Sequence, residues 1–324
     1  MKIVLPGGTG QVGTVLARAF SANGHEVVLL SRRAGSGSFR TVEWDAKSPG
    51  DWTREIDGAD VVVNLAGRSV DCRYTPANRR LITDSRVDST NAIGRAIAEA
   101  AAPPAVWLQM STATIYDHRY EAANDEATGV ISEAVDDSPD TWNFSLGVAR
   151  AWEAAAESFD LPHTRQVLLR SAMVMSPDTG GVFSVLLGLV RRGLGGRQGD
   201  GRQFVSWIHD RDFVRSLEWI IERDDLAGPV NIAAPKPLPN ADFMAALREA
   251  WGRRFGLPAT EWMIELGAVL LRTESELVLK SRRVVPGKLL ESGFAFDFPD
   301  WPTAAKDLCR RWRADGERSR RATP

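Results

Sequence analysis

Little in this chain points toward metal, disulfide, membrane or nucleic-acid chemistry. Its 324 residues hold two cysteines, Cys72 and Cys309. They lie far apart and show no metal spacing, which fits a reducing, cytoplasmic compartment. The histidines, at 25, 118, 163 and 209, are scattered and form no ligand cluster, so no metal is expected. No apolar run approaches the roughly 20 residues that span a bilayer, so no membrane partner is expected. The formal net charge of −2 argues against nucleic acid as a partner. Arg and Lys are interspersed with acids except from Arg310, Arg311 and Arg313 onward, which reads as a frayed basic terminus. A leader peptide is not expected, because the first apolar strand starts at residue 2 or 3 and is needed for the fold. No internal repeat occurs, and no low-complexity stretch beyond Ala98–Pro104.

What is present begins at the N-terminus. A short apolar strand, Ile3 to Leu5, feeds a turn with glycines at Gly7, Gly10 and Gly13. Gln11 to Ser21 reads as an amphipathic helix, and His25 to Leu30 as a second apolar strand. Strand, glycine turn, helix and strand within about thirty residues form a dinucleotide-binding unit. The glycines let the backbone approach a pyrophosphate, and the N–H groups of Gly10, Gln11 and Val12 at a helix N-terminus are expected to meet it.

The end of the second strand selects the nucleotide. An acidic residue there, about 20 residues past the glycines, bonds a ribose 2′-hydroxyl. This chain places Ser31, Arg32 and Arg33 there instead. Guanidinium groups form paired, charge-assisted bonds to phosphate oxygens, so the expected cofactor is NADP(H). Asp45, after a third short strand, is either an adenine-side neighbour or part of a surface turn.

Further along, Asp60 to Leu65 reads as a buried strand, residues 75 to 102 as a long helix, and Ala105 to Met110 as the next strand. Residues 117 to 140 read as an acidic loop, Ser145 to Phe159 as a helix and His163 to Arg170 as a strand. Strands alternating with helices give an α/β fold with a doubly wound parallel Rossmann sheet. The expected organisation is a nucleotide-binding domain over 1–170 and a smaller, mixed C-terminal substrate lobe over 171–324. Within the latter, 204–235 is expected to return to the first domain, with a strand at Phe204 to Ile208. Ligands of such sheets sit at the carboxyl ends of the strands, which brings Ala66, Gly67, Ser111 and Thr112 to one cleft.

These motifs resemble the extended short-chain dehydrogenases/reductases. The resemblance rests on the glycine turn, Asn64-Leu65-Ala66-Gly67, Ser111 through Tyr116, Trp207-Ile208-His209 with Asp212, and Asn231 through Pro235. Closer still is the atypical subgroup called epimerase family proteins, or nucleoside-diphosphate-sugar epimerases of the SulA type. Arg73-Tyr74-Thr75-Pro76, Asp84-Ser85-Arg86-Val87, Trp152-Glu153, Ser176-Pro177-Asp178, the segments 193–196 and 201–203, and Glu291 through Phe294 carry it. The similarity runs in order from residue 3 to about 308. It adds Leu65, Ala66 and Gly67 to the cofactor contacts.

The resemblance also exposes a departure. Ordinary members carry Tyr-x-x-x-Lys on the helix after the acidic loop, spaced so that both side chains share one face. Aligned on Trp152-Glu153, those positions hold Ser145 and Ala149. The chain's three tyrosines, Tyr74, Tyr116 and Tyr120, are followed four residues on by Asn78, Tyr120 and Asn124. Thr112 matches the third catalytic position, with Ser111 beside it. Arg86 stands where most extended members place Asn. Tyr116 and Arg86 are the further catalytic candidates, each with a structural alternative: packing for Tyr116 and an ion pair for Arg86. The resemblance implies an NADP(H)-dependent oxidoreductase or epimerase-like enzyme on a small carbonyl or sugar-type substrate. The rival reading is a non-catalytic NADP(H)-sensing protein. A homodimer is left open.

Overall fold

In the computed structural model, residues 1–33, 37–132, 139–271 and 274–321 are described. The chain runs β1 (Lys2–Pro6), α1 (Gln11–Ala22), β2 (Glu26–Ser31), β3 (Arg40–Glu43), β4 (Val61–Asn64), α2 (Pro76–Glu99), β5 (Val106–Thr112), α3 (Asp140–Glu157) and β6 (Arg165–Ser171). There follow β7 (Met173–Met175), α4 (Val182–Arg191), β8 (Phe204–Val205), β9 (Trp207–His209), α5 (Asp210–Ile221), β10 (Gly228–Ile232) and β11 (Leu238–Pro239). The remainder is helical: α6 (Asn240–Trp251), α7 (Glu261–Leu271), α8 (Glu276–Leu279), α9 (Gly287–Glu291) and α10 (Trp301–Arg321). Among the described residues, no helix is long and apolar enough to cross a membrane.

Seven strands form one sheet in the order β10-β6-β5-β4-β1-β2-β3. The pairs β1–β2, β2–β3, β1–β4, β4–β5 and β5–β6 are all parallel. The expected doubly wound α/β sheet is therefore present. Strand order reverses between β1 and β4, the crevice where such sheets bind ligands. The central strands are apolar on both faces, as a sheet covered by helices on both sides requires. Val61, Val62 and Val63 of β4 are at most 1% exposed.

The chain divides into two compact units: residues 1–115, 132–171 and 214–231 form the first, and 116–131, 172–213 and 232–324 the second. Arg165 on β6 shows why 214–231 packs with the first unit. Its guanidinium donates to the carbonyls of Ile220 (2.9 Å), Ile221 (3.2 Å) and Leu226 (2.6 Å). It thereby satisfies groups left open at the C-terminal end of α5.

The second unit is built around Trp301, which stacks on Phe243 at 4.0 Å and donates through Nε1 to the Phe243 carbonyl (2.8 Å). Trp301, Ala304, Ala305, Leu308 and Cys309 are all fully buried. Their spacing is that of one helix face.

Three sequence expectations change here. The tail after Arg310 continues α10 to Arg321 rather than fraying. Arg311 pairs with Asp210 at 2.7 Å, and Arg310 bonds Asp307. The strand expected at 204–208 is broken at Ser206 into β8, paired with β11, and β9, paired with β7. Ser206 Oγ donates to Arg282 O (2.6 Å) and accepts from Val284 N (2.9 Å), taking the place of a ladder partner. Helix α3 begins at Asp140, five residues before the expected start. Of the expected acidic loop 117–140, residues 133–138 lie outside the described residues.

Candidate functional site

The glycine turn has a division of labour among its residues. Gly7 has φ +74°, and a Cβ on it would lie 2.7 Å from Ala66 Cα. Its N–H donates to Leu30 O at 2.9 Å. A Cβ on Gly13 would lie 2.4 Å from Gly8 O, so the glycine there lets α1 close onto the turn. Gly10 is different: its φ is −74°, and a Cβ on it would meet only Gly7 O, at 3.8 Å. Packing within the protein explains the first and third glycines but not the second. A ligand approaching the backbone would explain it.

Gly10 is also the N-cap of α1 and brings no side-chain cap. The first N–H groups of a helix have no intrahelical acceptor, and here they carry the positive end of its dipole. Gln11 Nε2 is buried nearby without a hydrogen-bond partner. Unsatisfied donors at an uncapped helix start suit a phosphate.

At the end of β2, Ser31 Oγ lies 3.5 Å from Thr9 Oγ1 and accepts from Arg33 N at 3.4 Å. Arg32 and Arg33 are both exposed, and neither guanidinium is in an ion pair among the described residues. Asp45 serves a turn: its Oδ1 accepts from the N–H groups of Ser48 and Lys47, both at 2.8 Å. The Ser48 bond, with that from Lys47, outweighs burial and lowers the carboxyl's pKa.

The ends of β4 and β5 carry the remaining groups. Buried Asn64 donates through Nδ2 to Gln109 Oε1 (2.9 Å) and accepts from Ala66 N (3.1 Å), fixing the turn that meets Gly7. Leu65 N donates to Pro6 O at 2.9 Å, tying the two loops together. Gly67 lies over Arg86, where a Cβ would be 3.3 Å from Cζ.

Arg86, half-buried on α2, donates through Nη1 to Arg68 O (3.0 Å) and Ile82 O (3.1 Å). Its Cζ stands 4.9 Å from the centre of the Trp152 ring, a cation–π contact. Burial lowers its pKa to about 10, which still leaves it charged at neutral pH. The ion-pair alternative does not hold, since no carboxylate pairs with Arg86 among the described residues. Trp152 Nε1 is buried and without a partner.

Ser111 and Thr112, adjacent in sequence, are used differently. Ser111 Oγ donates to Glu153 Oε1 at 2.5 Å. That carboxylate also receives Arg170 Nε (2.9 Å) and Nη2 (2.8 Å). The Ser111 hydroxyl is thus committed to a buried Arg–Glu pair that ties α3 to β5 and β6. Thr112 Oγ1 accepts from Thr114 N at 3.2 Å, which leaves its hydrogen for another acceptor. The sequence gives no warning of the Glu153–Arg170 pair beyond an arginine directly after the apolar run Val167–Leu169. Trp152 as the platform of Arg86 is likewise not legible without the fold.

Ala149 on α3 is fully buried. Ser145, one turn before it, is half-buried. Tyr116 belongs to the second unit, is 2% exposed, and packs where a Cβ on Gly129 would lie 2.6 Å from Tyr116 Cε1. Among the described residues no group of His, Cys, Asp and Glu side chains could hold a metal ion.

Comparison with known proteins shows the family of the chain. The model of the NAD dependent epimerase/dehydratase family matches residues 3–233, and a model described as a domain of unknown function matches 259–308. Epimerase family protein SDR39U1 of Bos taurus is 34% identical over 315 residues, 95% of this chain and 99% of the relative. The crystal structure of human SDR39U1 (isoform 2) with NADPH superposes with a TM-score of 0.82 at 30% identity, covering 96% of this chain and 99% of that one. A nucleoside-diphosphate sugar epimerase from Corynebacterium glutamicum shares the fold, with a TM-score of 0.72 at 24% identity, covering 99% of this chain and 67% of that one.

Proposed function

The chain belongs to the NAD-dependent epimerase/dehydratase family, and we propose that it is an NADP(H)-binding oxidoreductase or epimerase-like enzyme acting on a small carbonyl or sugar-type substrate. The observation that carries this reading is Gly10, a glycine whose Cβ would meet nothing closer than Gly7 O at 3.8 Å, at the start of an uncapped helix. The related human protein crystallised with NADPH supports the same reading.

In this reading the N–H groups of Gln11, Val12 and Gly13 hold the pyrophosphate, with Gly7 allowing the turn. Ser31, Arg32 and Arg33 hold the 2′-phosphate, and Leu65, Ala66 and Gly67 line the crevice beyond. Asp45 shapes the adenine side through its turn. When bound, NADP(H) supplies hydride transfer. Thr112 donates its free hydrogen to the substrate oxygen, and Ser111 fixes the strand end through Glu153. Arg86 polarises the same oxygen. With Ser145 and Ala149 in place of the Tyr-Lys pair, a nonstandard group or water carries the proton. A well-placed acid is typically worth about 10²–10⁴ in rate.

Ala149 also favours a second reading, a protein that binds NADP(H) and reports its level without turnover. The two are separated by releasing and identifying small molecules that copurify with the protein, then following NADPH oxidation across a carbonyl panel. A substrate-like metabolite beside the nucleotide, or turnover, supports the enzyme. NADP(H) alone with no turnover supports the sensor, and no nucleotide with no binding overturns both.

A further inference from the structure

We propose that Arg86 makes the site distinguish the two redox states of its nucleotide, favouring the uncharged reduced nicotinamide over the cationic oxidised one. This rests on the NADP(H) reading above.

The sheet itself supplies the first step. A dinucleotide lies across the point where strand order reverses, one nucleotide on each side. Here the reversal is between β1 and β4. Ser31, Arg32 and Arg33, at the end of β2, mark the adenosine side. The nicotinamide half therefore falls to the ends of β4 and β5, where Gly67 and Thr112 stand. Arg86 reaches that region, because a Cβ on Gly67 would be 3.3 Å from its Cζ.

The second step is charge. Among the described residues Arg86 bonds two backbone carbonyls, Arg68 O and Ile82 O, and rests on the Trp152 ring. Among the described residues, the acid next to its Trp152 platform is engaged elsewhere. Glu153 is held by Arg170 and Ser111. A positive charge therefore faces this half of the site without a carboxylate counterion among the described residues. Ala149, fully buried, adds no charge of its own.

The third step is the chemistry of the ligand. The oxidised nicotinamide ring carries a positive charge that the reduced ring lacks, whereas the phosphates and adenosine are the same in both. An unneutralised guanidinium nearby in a partly desolvated site therefore penalises the oxidised form alone. A preference of about tenfold for the reduced form is expected at moderate salt. Such a bias suits a reductase, which must bind the reduced form and release the oxidised one. It equally suits a reporter of the reduced pool.

The test is calorimetric titration of the full chain, as wild type, Arg86→Lys and Arg86→Gln, with NADPH and with NADP⁺. The wild type and Arg86→Lys should bind NADPH about tenfold tighter. In Arg86→Gln the two affinities should converge to within about threefold. Arg86→Met, an unbranched apolar side chain without the charge, replaces Gln if that variant does not fold. A merely structural role for Arg86 would weaken both nucleotides equally and leave their ratio unchanged, which overturns the proposal. Equal affinities in the wild type overturn it as well, while leaving the NADP(H) reading intact. Binding of neither nucleotide by the wild type removes that reading, and this inference with it.

Discussion

Gly7 and Ala66 bring two loops together so closely that a Cβ on residue 7 would lie 2.7 Å from the Ala66 Cα. Gly7 also has φ +74°, a conformation that costs other residues about 1–2 kcal/mol. Gly10, three residues on, meets neither constraint. Gly7→Ala should therefore lower stability by at least about 1–2 kcal/mol and weaken nucleotide binding with it. Gly10→Ala should leave the unfolding temperature nearly unchanged yet weaken NADPH at least tenfold. Thermal unfolding and titration of both variants check this. A Gly10→Ala protein that binds NADPH normally would mean the phosphates do not lie against that backbone.

Ser111 and Thr112 should separate in the same manner. Glu153 and Arg170 form a buried pair at 2.8 Å, with side chains 7% and 10% exposed. Glu153→Ala would take away the carboxylate against which Arg170 is buried, a loss of about 3–5 kcal/mol. Ser111→Ala removes one charge-assisted hydrogen bond, about 1.5–3 kcal/mol. Thr112→Val should change stability little and reduce any turnover. Denaturant unfolding and rate measurements on the three variants decide the matter. If Ser111→Ala abolished turnover at unchanged stability, its assignment to the scaffold would be wrong.

Stability should fall on acidification through His209. Its ring stacks on Phe298 at 3.8 Å, Nδ1 accepts from Arg211 N at 3.2 Å, and Nε2 lies 3.1 Å from Asp307 Oδ2. Burial, opposed by Asp210 and assisted by Arg311, holds its pKa below the usual value of 6.5. The folded protein thus binds fewer protons here than the unfolded chain, so this contribution rises with pH. It is fully present above about pH 6.5 and is lost as pH falls through the folded pKa. Unfolding measured between pH 7 and 5 should show that slope, and His209→Gln should flatten it. An unchanged slope would remove His209 as its source.

The β1–α1–β2 unit was largely legible because local and global signals agree there. Glycine spacing, apolar strands and the Arg32–Arg33 pair lie within one short stretch and meet in the fold. The long helix expected over 75–102 is α2, Pro76–Glu99. Where the sequence misled, tertiary contacts outweighed composition. The arginines of α10 suggested a frayed tail, yet the buried face from Trp301 to Cys309 was written in helical spacing just before them. Ser206 sits in an apolar run, and only its bonds to Arg282 and Val284 show why that run splits. The hydroxyls of Ser111 and Thr112 are indistinguishable in sequence, because Glu153 and Arg170 come from elements 42 and 59 residues from Ser111 and reach it only through folding.

The central claim, that this protein binds the 2′-phosphorylated dinucleotide through the end of β2, is tested most directly by calorimetric titration with NADPH and NADH. The wild type should bind NADPH at least several-fold tighter, and Arg32→Asp should shrink or reverse the difference. Equal affinity of the unmutated protein for the two nucleotides would contradict the account.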